Sequence, residues 1–148
     1  MSFRERENFV YLISNIVVST GYFLYVAQRY VALGLDPSND FSFWGSAILV
    51  FVPVFVVTRI IIRIIFSIIE AIITRREEPD FLDEFDKIVE LKATQNFYHV
   101  FMLGFFISIF TLVLDMPPFV MFNILMLTMI IAGIVGDISR IMFYRRGV

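Results

Sequence analysis

The chain has 148 residues, 59 % of them hydrophobic and 18 % charged, with a net charge of −2 and a mean hydropathy of +0.82. Its 18 phenylalanines exceed what one core of this size hides from water, which excludes a water-soluble domain, a disordered segment and a basic nucleic-acid binder. With no cysteine, disulfide exchange, thiolate catalysis, iron–sulfur clusters and thiolate zinc sites are excluded as well.

A helix that crosses a bilayer needs roughly 20 mostly apolar residues. The first such run, 8–33, is longer than a signal-peptide core and carries Asn15, Tyr22 and Tyr25, so it reads as a retained span. One face of it holds Asn8, Tyr11, Asn15, Ser19, Tyr22 and Arg29, a polar seam suited to helix–helix hydrogen bonds. The second run, 41–74, is too long for one crossing, since a helix of that length extends about 50 Å. Arg59 at the bilayer centre would cost about 3 kcal/mol, so the cheaper register crosses at 43–63. Arg63 then lies at the inner boundary, and Arg59 snorkels from one turn deeper.

The remainder, 64–95, reads as an amphipathic and acidic cytoplasmic segment. In its first part Ser67, Glu70 and Thr74 continue the stripe of Arg59 and Arg63, while isoleucines cover the rest of the circumference, as suits a helix resting on the inner lipid interface or packing against other helices. In its second part, residues 77–90 hold seven acids and one lysine. The sequence Glu78-Pro79-Asp80 resembles a helix start. From there Asp80, Asp83, Glu84, Asp86 and Glu90 form an acidic face that reads either as a solvated helix closing back on Arg75 and Arg76 or as a candidate contact for a basic partner.

The third and fourth spans are 96–114 and 118–141. Gly104, Ser108, Thr111 and Asp115 share a face of span three, which suits close helix approach or, alternatively, the lining of a water-filled pore. His99 is the only histidine, which leaves neither an axial pair for haem nor a zinc ligand set, and reads as an interfacial, hydrogen-bonded residue. Basic residues fix the direction: Arg4, Arg6, Arg63, Arg75, Arg76, Lys87, Lys92, Arg140, Arg145 and Arg146 all fall on one side. Only Arg29 lies near the other. Both termini are therefore expected in the cytoplasm.

Polar groups inside the spans need partners. Asp137 lies at about the depth of Arg59 and Arg63 and is expected to face span two and pair with one of them. Arg29 and Asp115 form a second expected pair at the outer rim. Arg140, with Arg145 and Arg146, is expected to reach lipid headgroups. No carboxylate occupies the middle of any span, which counts against a coupled transporter.

The halves suggest a parallel duplicated helical hairpin. Asn8-Phe9-Val10-Tyr11 matches Asn96-Phe97-Tyr98-His99, and Ile62-Arg63-Ile64-Ile65-Phe66 matches Ser139-Arg140-Ile141-Met142-Phe143. The stretch Asp83-Glu84-Phe85-Asp86 running into Asn96-Phe97-Tyr98, with the terminal Tyr144-Arg145-Arg146-Gly147, resembles a family of small bacterial inner-membrane proteins without an established activity. That resemblance, carried mainly by the second half, implies a bacterial origin and four spans.

The expected architecture is thus an all-α, integral membrane four-helix bundle in the bacterial inner membrane. No activated serine, phosphate-cradling glycine loop or enclosed acid–base pair is present, so the chain reads as non-catalytic and without cofactor or metal. The expected function is an interaction or accessory subunit whose partners are the lipid bilayer and either copies of itself or a larger membrane complex, not nucleic acid. The alternative is an oligomeric small channel or transporter.

Overall fold

Each apolar run becomes one unbroken helix in the computed structural model, which describes residues 3–34, 36, 40–74 and 84–147, side chains 3, 4, 70 and 74 excepted. The helices are α1 (Phe3–Leu33), α2 (Phe41–Thr74), α3 (Glu84–Val113) and α4 (Pro118–Arg146). All four are long and apolar enough to cross a membrane, and the fold is an all-α four-helix bundle. Arg75, Arg76, Asp80 and Asp83, and with them the expected helix start at 78–80, lie outside the described residues.

Local chemistry sets the helix ends. Gly34, at φ 57°, takes the left-handed conformation that closes α1, its N–H donating to the Val31 carbonyl. Asp40, a favoured cap residue, precedes α2, and its carbonyl accepts from the Trp44 N–H. Glu84 and Asp86 place negative charge on the first turn of α3. A tight turn built on Asp115, at φ 54°, then leads through Pro117 into α4, where Pro118 occupies a position that needs no intrahelical N–H. Gly147, at φ 70°, ends α4 by donating to the Phe143 carbonyl, with Arg145 and Arg146 on the last turn.

The helices outrun the crossings read from the sequence. α2 passes through Arg63 to Thr74 without a break, and α3 begins at Glu84, so most of the 64–95 segment extends the spans.

Sequential helices run antiparallel, which brings both ends of the chain to one end of the bundle, here called the base; the other end is the crown. α4 is the hub: it packs against all three other helices, α1 also touches α2, and α3 packs on α4 alone. Small residues permit these approaches. A Cβ added at Gly104 would fall 2.2 Å from the Thr128 side chain of α4, so α3 and α4 meet closely there. One added at Gly133 would fall 2.9 Å from Asn15 Nδ2, so this glycine makes room for the amide of α1.

At the crown, Val26, Trp44, Ala47 and Met126 are buried together, with Tyr22, Tyr30, Phe119 and Phe122 against them. Trp44 is turned inward, and its Nε1–H donates to Asp40 Oδ2 at 2.8 Å.

Candidate functional site

The base is organised around Asp137, which is fully buried. Helix periodicity puts Asp137 on the side of α4 that also carries Gly133, and the absence of a side chain at Gly133 lets α1 deliver Asn15 alongside it. Asn15 Nδ2 donates to Asp137 Oδ2 at 2.8 Å, and Asn15 Oδ1 accepts from the Ser19 hydroxyl at 3.0 Å. The other oxygen, Oδ1, accepts from Arg59 Nη2 of α2 and from Arg140 Nη1 of α4, the latter at 3.0 Å. Arg59 also lies over the rings of Phe55 and Tyr11, with its guanidinium carbon 5.1 and 5.7 Å from their centroids.

Arg140 carries the network outward. Its Nε and Nη2 donate to Glu90 Oε2 and Oε1 at 2.7 and 2.6 Å, a bidentate fork between α3 and α4. One turn away on each helix, the Tyr144 hydroxyl donates to Asp86 Oδ1 at 2.7 Å. Two carboxylates and two guanidiniums thus neutralise one another, the condition for holding charge away from water.

This network forms one wall of a cavity of about 400 Å³. All four helices line it: Glu7 from α1, Arg59 and Arg63 from α2, Asp86 and Glu90 from α3, and Arg140 from α4. Asn8, Ile60, Tyr144 and Tyr11, whose hydroxyl donates to Glu7 Oε1 at 3.2 Å, complete the lining.

The structure distributes the expected site residues unevenly. Asp137 faces α2 and takes Arg59 as its partner from that helix; Arg63 is exposed and forms no ion pair among the described residues. Arg140 is not on lipid headgroups, because Glu90 and Asp137 claim its guanidinium and leave the side chain 15 % exposed. Arg145 and Arg146 are exposed at the end of α4. The expected pair of Arg29 and Asp115 does not form: α1 and α3 are not neighbours, Arg29 donates to the Tyr25 hydroxyl at 3.4 Å, and Asp115 serves the turn with its side chain exposed. Of the acidic face proposed for a partner, Glu84 and Glu90 are exposed and Asp86 is half-buried, but Glu90 is held by Arg140 and Asp86 accepts from Tyr144. The reason is that α3 continues in register along the full length of α4 instead of standing apart as a cytoplasmic helix.

Other polar groups are spent on packing. Ser108 and Thr111 are buried, and their hydroxyls donate to carbonyls of their own helix, those of Phe105 at 2.7 Å and Ser108 at 2.6 Å. Asn96 donates to the Ser139 hydroxyl at 3.0 Å, and Tyr22 to the Ala47 carbonyl at 2.6 Å. His99, expected to be hydrogen-bonded, is exposed and makes no hydrogen bond among the described residues; its ring stands edge-on to Tyr98, 6.0 Å between centroids.

Sequence reasoning found Asp137 with Arg59 but assigned Arg140 to lipid and Glu90 to a partner, and it missed Tyr144 and the pairing of Asn15 with Asp137. The signals were present: Arg140 follows Asp137 by one turn, and Asn15 stands four residues before Ser19 on one face. Among the described residues no cluster of histidines or carboxylates is arranged to hold a metal ion. The chain matches no protein-family model, no curated protein and no solved structure.

Proposed function

We propose that the chain is a non-catalytic, four-span protein of the bacterial inner membrane, with both termini in the cytoplasm, acting as an accessory subunit or as a homo-oligomer. The observation that carries this reading is the continuation of α2 beyond Arg63. Ile64, Ile65, Ile68, Ile69, Ile72 and Ile73 stay between 47 % and 73 % exposed there, an apolar helical surface that the other described residues leave uncovered. The neutralised charges at the base support a structural use of Asp137 over a role in coupled transport. The Ser108 and Thr111 hydroxyls, bonded to their own helix and buried, leave little polar surface for a water-filled path.

The test is the mass of the protein purified in mild detergent, together with whatever accompanies it. More than one copy, or a companion in fixed proportion, is expected, and Ile68→Glu with Ile72→Glu should disperse that assembly without loss of helix. A lone monomer that conducts ions in liposomes would overturn the reading. A reporter fused to the C-terminus should be active only in the cytoplasm, and periplasmic activity would reverse the topology.

A further inference from the structure

We infer that the cavity at the base is a binding site for a phosphate-bearing ligand, anchored by Arg63 and completed by Arg59. The volume of about 400 Å³ is that of a small-molecule site. Its hydrogen-bonding balance favours an anion. Of the three guanidiniums lining it, Arg140 is committed to Glu90 and Asp137, and Arg59 gives Nη2 to Asp137. Arg63 lines the same cavity and makes no hydrogen bond or ion pair among the described residues. Arg59 lines it too, and its Nη1 has no acceptor among the described residues.

Arg59 and Arg63 stand four residues apart on α2 and therefore share a face. A tetrahedral oxyanion between them would accept from both, the bidentate chemistry in which arginine outperforms lysine. The carboxylates of the lining do not compete for a cation on equal terms. Glu90 is held by Arg140, Asp86 accepts from Tyr144, and Glu7 accepts from Tyr11.

Phosphate can arrive in two forms. Ile60 lines the cavity and is 53 % exposed, as is Ile64 one turn on, so acyl chains of a phospholipid would find an apolar track leading up to Arg63. A free phosphate compound would use the polar groups alone.

Calorimetric titration of the full-length chain in detergent separates these cases. The probes are dihexanoylphosphatidylglycerol, inorganic phosphate, and dihexanoylglycerol, which lacks the phosphate. Binding of the phosphate-bearing probes but not of dihexanoylglycerol is expected. Phospholipid binding at least tenfold tighter than inorganic phosphate identifies a lipid source, and equal affinities identify a free phosphate compound; both support the site. Arg63→Gln should weaken binding by about tenfold or more, as expected for loss of a charge-assisted hydrogen bond. Arg63→Lys should retain part of it, and Arg29→Gln at the crown should change nothing. Arg63 is exposed, so its variants should keep the wild-type circular dichroism and melting temperature, which are recorded alongside. Failure of both phosphate probes to bind, equal binding of dihexanoylglycerol, or an unchanged affinity in Arg63→Gln would overturn the proposal.

Discussion

The crown and the base of the bundle solve the same problem in different ways. Hydrophobic burial contributes little between helices surrounded by lipid, so each end needs another source of specificity. At the crown it comes from ring shape: Tyr30 lies 5.1 Å from Trp44, 5.5 Å from Phe43 and 6.4 Å from Phe119, centroid to centroid. At the base it comes from charge, with Asp137 shared among α1, α2 and α4 and Arg140 tied on to α3. Ring contacts are many and individually small, whereas a buried ion network loses its balance when one member is removed. The crown should therefore yield gradually to substitution and the base abruptly.

The strongest test of that contrast is Asp137→Ala. It leaves two guanidiniums facing each other and an amide without its acceptor, and a loss of about 3–5 kcal/mol is expected, read from thermal unfolding in detergent. Asp137→Asn combined with Arg59→Gln should be more stable than the sum of the single changes predicts, because the two residues share one interaction. A strictly additive result would break the contrast.

At the middle of the α3–α4 contact, Gly104→Val drives a side chain into Thr128 and should cost about 1–3 kcal/mol, seen as a lower melting temperature. At the crown, Trp44→Phe keeps the ring packing but removes the donor to buried Asp40, so a cost of about 1–2 kcal/mol is expected by the same measurement. A loss as large as that of Asp137→Ala would show that the crown, too, depends on a charge.

Smaller effects sharpen the picture. Glu90 is 55 % exposed, so Glu90→Gln should cost less than about 1 kcal/mol, and the difference from wild type should shrink as salt is raised. Smallest of all, Arg29→Gln and Asp115→Asn should each stay within about 0.5 kcal/mol of wild type, since neither side chain is paired with the other.

Legibility followed the range of the forces involved. Helices declared themselves through long apolar runs, and Asp137 stood out because a carboxylate within an apolar helix must find a partner of opposite charge at its own depth. Arg59 and Arg63 were both at that depth, and the two were indistinguishable without knowing which face of α2 meets α4. Glu90 was hidden for a different reason. Its acidic surroundings suggest a solvated face, and only the continuation of α3 along α4 brings it to Arg140.

By itself, then, the amino-acid order determined four helices, their lengths to within a few turns, the apolar character of their surfaces and the spacing of the charges along each. These depend on hydropathy and on the 3.6-residue period, which act along one chain segment at a time. Only the tertiary structure decided the neighbours. It made α4 the hub, kept α1 and α3 apart so that Arg29 and Asp115 never meet, and gave Arg140 to Glu90. It also left Arg63 facing a cavity that no single helix encloses. Rotation of a helix about its own axis is set by side chains on other helices, so that information exists only once they are packed together.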